Sequence, residues 1–194
     1  MKTPLRYPGG KSKAVPKLWQ WLPAEITEYR EPFLGGGSMA IEMTKRYPDL
    51  PIWVNDLYKP LYLFWLALRD DGEYLYDQLV QYKGKAFPES EARQTFLDAK
   101  ERVNDEDLSY KDRAVAFYIV NKCSFSGLTE NSSFSSQASH NNFTINGIDN
   151  LKYFSKLIKN WKITNLDYAD LVEDCLGHGE IECDDNTFIY VDPP

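Results

Sequence analysis

The sequence predicts an open α/β fold, with a ligand site at the carboxyl ends of the strands and a helical insertion between them. Three observations predict it. Residues 28–34 are β-compatible, and Gly35-Gly36-Gly37 breaks them before a helix-compatible segment from Ser38 to about Arg46, making a strand, turn, helix unit. Ile52-Trp53-Val54-Asn55-Asp56 is a second short strand that ends in a carboxylate. Phe188-Ile189-Tyr190-Val191 is a third, stopped by Asp192-Pro193-Pro194, because proline has no N–H to give to a ladder. The glycine turn and the Asp-Pro-Pro turn each follow an apolar strand-like run, so both fall where open α/β sheets hold ligands.

Periodicity supplies the other elements. Leu61, Phe64, Trp65 and Leu68 recur at amphipathic-helix spacing after Pro60, and Leu75, Leu79 and Tyr82 keep the period. Helix formers fill Pro88 to Val103, and Ser109 with Asp112 is a capping-box signature before Ala114 to Asn121. From Ser124 to Gly147 the chain turns to Ser, Asn, Thr and Gly with isolated Phe125, Phe134 and Phe143, which predicts a long exposed loop or hairpin. Asp149 is placed to cap a helix whose Leu151, Phe154 and Ile158 share a face. Trp161 to Leu166 reads as a strand, Asp170 to Asp185 as an acidic connection and Thr187 to Val191 as a buried strand.

At 194 residues, 43% hydrophobic and 26% charged, the chain is an ordinary globular protein of one domain or one plus an insertion. The formal net charge of −7 argues against holding nucleic acid by bulk electrostatics. Local basic faces remain, at Lys2, Arg6, Lys11, Lys13 and Lys17 and at Lys152, Lys156, Lys159 and Lys162. No apolar stretch is long enough to span a bilayer and the N-terminus lacks a signal-peptide core, so a cytoplasmic location without a membrane partner is expected. Cys123, Cys175 and Cys183 lack a Cys-x-x-Cys spacing, so neither a disulfide framework nor a metal site is expected.

Gly35 to Gly37 and Asp56 have the spacing of a nucleoside site: glycines let the backbone approach a ligand, and a carboxylate about 20 residues on can accept from ribose hydroxyls. The run is not G-x-G-x-x-G and no Gly-Lys-Ser/Thr ends it, which weakens nicotinamide and flavin readings and removes the P-loop reading. Upstream, Arg6-Tyr7-Pro8-Gly9-Gly10-Lys11-Ser12-Lys13 holds a lysine beside an aromatic in a Gly-Gly turn. The two prolines after Asp192 fix a turn that aims the Asp192 carboxylate and the Pro193 carbonyl one way, which suits an amino group with two hydrogens. Each of these motifs alone is also ordinary loop chemistry.

In this order the motifs resemble the Dam-like group of adenine-specific DNA methyltransferases. The resemblance runs from Leu5 to Pro194, through Tyr7-Pro8-Gly9-Gly10-Lys11, Glu31-Pro32-Phe33-Leu34-Gly35-Gly36-Gly37-Ser38, Asn55-Asp56, Asn121-Lys122-Cys123-Ser124-Phe125-Ser126-Gly127-Leu128, Leu166-Asp167-Tyr168-Ala169-Asp170 and Asp192-Pro193-Pro194. It implies a Rossmann-like methyltransferase core at 1–56 and 149–194, with a helical insertion and target-recognition hairpin at 57–148. It implies S-adenosyl-L-methionine as cofactor, lined by Tyr7, Lys11, Phe33, Gly35, Gly36, Gly37, Ser38, Asp56, Asp167 and Asp192. Asp192, Pro193 and Pro194 would form the catalytic turn holding the adenine amino group. Double-stranded DNA is the implied partner, met by Lys13, Lys122, Ser124, Phe125, Ser126, Asn131, Phe134 and Asn141, with the target base flipped out of the duplex.

The family carries an aromatic Tyr after the two prolines and further strands beyond it, which this sequence does not reach. The expectation is an incomplete core, with a fragment, a split enzyme completed by a second polypeptide, or a decayed gene all compatible. The Arg-Tyr-Asn and Phe-Asn-Val-Pro-Phe-Gly pattern of GATC-specific members is missing, so GATC recognition is not implied. Two rivals stay open: a module that binds cofactor or DNA without turnover, and a methyltransferase of RNA or protein amino groups.

Overall fold

A computed structural model describes residues 3–83, 88–125, 127, 132–172 and 186–193. The chain forms two compact units. One comprises Met1–Thr3, Gly9–Tyr62 and Leu157–Pro194, the other Pro4–Pro8 and Leu63–Lys156. The divides fall at 62/63 and 156/157, where the sequence suggests 56/57 and 148/149, and residues 4–8 group with the insertion.

In the first unit, β1 (Glu28–Glu31), β2 (Ile52–Asn55), β3 (Lys162–Thr164) and β4 (Thr187–Ile189) form a sheet in the order β3-β2-β1-β4, with every pair parallel. The chain steps outward from β1 through β2 to β3, and β4 joins the opposite side of β1, so the order reverses between β1 and β4. Such a reversal parts the loops at the carboxyl edge and leaves a crevice there. The register pairs Glu31 with Val54, Asn55 with Thr164 and Arg30 with Ile189. It brings Pro32, Asp56, Asn165 and Tyr190 to that same edge.

The central strand departs from expectation. Buried parallel strands are usually runs of Val, Ile and Leu, whereas β1 reads Glu-Tyr-Arg-Glu, with Arg30 4% and Glu31 3% exposed. The Arg30 charge is matched. Arg30 donates to Glu28 Oε2 at 2.9 and 3.0 Å and to the Leu171 carbonyl at 3.0 Å, and its guanidinium lies 4.8 Å from the centre of the Trp53 ring. Around the sheet are α1 (Val15–Leu18), flanked by 3₁₀ turns at Lys11–Lys13 and Trp19–Trp21, and α2 (Ser38–Arg46). Ser38, Met39, Ala40, Ile41, Met43 and Thr44 are buried, so α2 is enclosed on most of its circumference. Thr44 accepts from Trp161 Nε1 at 2.7 Å, tying α2 to the entry of β3.

The second unit is helical. α3 (Lys59–Lys83) enters it and breaks at Asp71 (φ −152°, ψ 65°), whose Oδ1 accepts from the Tyr74 amide at 3.1 Å and so caps the second half. α4 (Glu89–Arg102) packs on α5 (Tyr110–Cys123), which Ser109 caps by accepting from the Asp112 amide at 3.1 Å. Every residue from Arg113 to Cys123 is buried.

The stretch expected to be a long exposed loop or hairpin is in part each of these and in part helical: Ser124 and Phe134 form an antiparallel bridge, while α6 (Ser136–Asn142) and the start of α7 (Ile145–Leu157) fall in its second half. Its polar composition hides two caps. Ser135 accepts from the Ala138 amide at 3.1 Å, and Thr144 accepts from the Gly147 amide at 3.1 Å. Burial of Ala138, Ser139, Phe143 and Ile148 then holds both helices in place. Asp149, expected as the cap, lies inside α7, one turn beyond its start. A short α8 (Ala169–Val172) follows β3, and the rest of the acidic connection, with Cys175 and Cys183, lies outside the described residues. Among the described residues no helix is long and apolar enough to cross a membrane.

Candidate active site

The turn after β1 needs its glycines. Gly35 (φ 49°) and Gly37 (φ 66°) adopt left-handed conformations in which a Cβ is strained, and both are buried. Gly37 is also the N-cap of α2 and has no side chain to accept from the helix's free amides. Glu31 does so instead: its Oε2 accepts from the Ala40 amide at 3.0 Å and from the Tyr29 hydroxyl at 2.7 Å. The last residue of β1 thus caps the helix that follows the glycine turn, which fixes the turn from both ends.

Asp56 holds the same turn from β2. Its Oδ2 accepts from the Gly35 amide at 2.9 Å and its Oδ1 from the Tyr58 amide at 3.0 Å. Each oxygen keeps a second lone pair, enough for a ligand's hydroxyls. Burial pushes the Asp56 carboxyl upward and the two amides pull it back. Beside it Asn55, 1% exposed, joins three strand ends: Nδ2 donates to the Pro32 carbonyl at 3.2 Å and the Leu166 carbonyl at 3.0 Å, and Oδ1 accepts from Leu166 N at 2.8 Å and Thr164 Oγ1 at 2.9 Å. Asn165 adds a bond to the Asp56 carbonyl at 2.7 Å.

On the other side of β1, Asp192 follows β4 and pairs with Lys11, Nζ to Oδ2 at 2.8 Å, both partners about one-third exposed. The Lys11 ammonium also donates to the Gly9 carbonyl at 3.1 Å. Glu31 sits between these arms. Burial raises its carboxyl, the two donors on Oε2 lower it, and the negative charges of Asp192 and Asp56 raise it, which together bring it up to about 8. Tyr190 is pushed up to about 12 by burial and by Asp192 and Glu31. Among the described residues no group of three His, Cys, Asp or Glu is arranged to hold a metal ion.

The first unit therefore brings together Lys11, Gly35, Gly36, Gly37, Asp56 and Asp192. Ser38 is buried, with its hydroxyl 2.9 Å from that of Ser12. The Phe33 ring lies 5.4 Å from that of Tyr168, tilted by 30°; Tyr168 is 52% exposed, and the exposed Asp167 beside it accepts from the Ala169 amide at 2.9 Å. Pro193 is exposed, and Pro194 lies outside the described residues. Tyr7, 41% exposed, belongs to the second unit. Glu31 and Asn55 are not among the site residues expected from the sequence, although both stand inside its motifs; a charged residue at the end of a strand, beside a glycine turn, is the sequence signal for Glu31.

In the second unit Asn121, 2% exposed, clasps the N-terminal segment: Oδ1 accepts from Arg6 N at 3.0 Å, and Nδ2 donates to the Arg6 carbonyl at 2.7 Å and the Gly127 carbonyl at 2.9 Å. The Arg6 guanidinium donates to the Ser124 and Phe125 carbonyls at 2.8 and 3.2 Å. Two of the residues expected to meet DNA present almost no surface here. Lys122 is 7% exposed because α5 is buried on all sides, its ammonium lies 5.1 Å from the centre of the Tyr118 ring, and burial with the Arg6 charge lowers it to about 8. Ser124 is fully buried. Phe125 is 78% exposed, Asn141 and Lys13 are exposed, and Phe134 is half-buried against Phe96 at 5.7 Å. Ser126 and Asn131 lie outside the described residues.

The edge thus offers the remaining lone pairs of Asp56, the Phe33 and Tyr168 rings, and the Glu31, Asp56 and Asp192 carboxyls beside one ammonium, that of Lys11. Type II methyltransferase M.MjaIII of Methanocaldococcus jannaschii is 26% identical over 203 residues, covering 98% of this chain and 68% of that protein. Type II methyltransferase M1.LlaDCHI of Lactococcus lactis subsp. cremoris is 23% identical over 204 residues, covering 97% and 64%. The chain thus spans about two-thirds of the length of each. The D12 class N6 adenine-specific DNA methyltransferase family matches residues 7–194, from the Tyr7 element to the Asp-Pro-Pro turn, and the chain belongs to that family.

Proposed function

We propose that the chain carries the cofactor and catalytic edge of a DNA adenine N6-methyltransferase that uses S-adenosyl-L-methionine and acts on a base flipped out of duplex DNA. One observation carries the reading: Asp56 beyond β2 is bonded to the glycine turn beyond β1, and Asp192 stands beyond β4, at the strand-order reversal of the sheet. The cofactor would supply an activated methyl group, and the protein position and charge. Asp56 would accept from the ribose hydroxyls, with Phe33, Tyr168 and Asp167 beside the nucleoside base. The Gly35 to Gly37 backbone admits the ligand closely.

Adenine N6 is a weak nucleophile because its lone pair is delocalised into the ring. Acceptors on both of its N–H bonds, the Asp192 carboxylate and the Pro193 carbonyl, favour a pyramidal nitrogen whose lone pair is free to attack. No strong base is needed beforehand, and Asp192 can take the proton released afterwards. Base flipping is needed because this amino group is out of an enzyme's reach inside the duplex. On the second unit, exposed Phe125 and Asn141 are the side chains proposed to meet DNA, with Lys13 doing so on the first.

The test is transfer of labelled methyl from S-adenosylmethionine to unmethylated duplex DNA, with N6-methyladenine as the product. Asp192→Asn should lower the rate by about 10²-fold or more, the scale for losing one aligned polar group at a reacting centre. Cofactor binding without transfer would reduce the reading to a binding module. Absence of both binding and transfer would overturn it.

A further inference from the structure

The mechanism leaves one buried ionisable group unused. Glu31 is 3% exposed, and both of its described hydrogen bonds fall on Oε2. Groups face it from every element around it. Tyr29 comes from its own strand and the Ala40 amide from the first turn of α2. Asp56 follows β2, while Tyr190 and Asp192 follow β4. Lys11 reaches the cluster through Asp192, to which it is ion-paired at 2.8 Å. Three carboxyls thus stand against one ammonium. With its carboxyl near 8, Glu31 is mostly protonated at neutral pH, and a further positive charge in the crevice would draw the proton off.

We propose that Glu31 distinguishes the methyl donor from the spent product by charge: neutral in the free protein, it ionises when a sulfonium ligand enters and is reprotonated when a thioether remains. The inference rests on the S-adenosylmethionine reading above. The balance is simple. The Glu31 O–H bond breaks, its electron pair stays on the carboxylate, and the proton goes to solvent while the sulfonium brings one positive charge. Methyl transfer removes that charge from sulfur, and the carboxylate takes a proton back. Donor affinity should therefore rise with pH, by up to tenfold per unit below about 8, and level off above it. Product affinity lacks that slope, so Glu31 acts as a specificity-determining residue that favours the donor.

Calorimetric titrations of the full chain at pH 7, in phosphate and in Tris, read the protons exchanged. S-adenosylmethionine should release close to one proton and S-adenosylhomocysteine close to none. In Glu31→Gln, which can still accept from Tyr29 and Ala40, the donor should bind without proton release and its affinity should lose the pH slope. Equal proton exchange for the two ligands, or release that survives in Glu31→Gln, overturns the proposal. Should that variant fail to fold, the Glu31 carboxyl ¹³C resonance of the unaltered protein decides: it should move to its ionised position with the donor and not with the product. Absence of binding by either ligand would instead sink the cofactor reading, and this inference with it.

Discussion

The Lys11 ammonium lies 2.8 Å from Asp192 Oδ2, and no other hydrogen bond holds the Asp192 carboxylate among the described residues. One lysine from the N-terminal turn therefore sets the direction of the proposed catalytic carboxylate and leaves Oδ1 open. Lys11→Met should change unfolding free energy by less than about 1 kcal/mol, since part-exposed ion pairs contribute little. The same change should lower methyl transfer by about 10²-fold, because small misplacements of reacting groups are costly. Denaturant unfolding and turnover, measured side by side, check the contrast; equal small effects would remove Lys11 from the site.

Asn55 makes four hydrogen bonds that join the ends of β1, β2 and β3. Asn55→Leu would leave buried amide and carbonyl groups unpaired, at a cost of about 3 kcal/mol or more in a urea titration. Cofactor affinity should fall with it, although Asn55 is assigned no ligand contact. A variant of unchanged stability would contradict this role.

Gly37→Ala places a Cβ at φ 66° in a buried turn. The strain is about 1 to 2 kcal/mol, and the α2 N-terminus should move with it. Thermal unfolding should show the loss, while Gly36→Ala, where no positive φ is recorded, should be milder.

Glu31 also links stability to pH. Its folded-state carboxyl lies near 8, above its ordinary value of 4.5, so the native state holds a proton that the unfolded chain releases across that window. This contribution is fully present below about 4.5 and is lost as pH rises toward 8. The stability of the unaltered protein relative to Glu31→Gln should therefore fall between pH 5 and 8. Denaturation across that range would read it, and a constant difference would show that Glu31 ionises normally.

Local signals made part of this molecule legible. The glycine run, the apolar β2 and the Ser109 cap are encoded within a few residues, and α2 begins where the glycines end. The spacing of Gly35 and Asp56 singled out both residues, and the bond of 2.9 Å that joins them came only with the fold. Contacts distant in sequence were not legible. Asn55 meets Thr164 and Leu166, and Arg30 meets Leu171, so neither role shows in the local pattern. Residue type misled at α6 and the start of α7, where Ser and Asn composition conceals caps and tertiary burial supplies the helix. It misled again at Lys122 and Ser124, whose polarity suggests surface while α5 and its exit are interior.

The most direct test of the shared crevice is amide chemical-shift mapping while S-adenosylmethionine is titrated into the chain. The account predicts that the resonances of Gly35, Gly37, Asp56, Asp167 and Tyr190 shift together along one binding curve, and that Asp56→Ala weakens that curve at least tenfold. Saturating cofactor that leaves these five amides unmoved, or moves them with unrelated affinities, would contradict it.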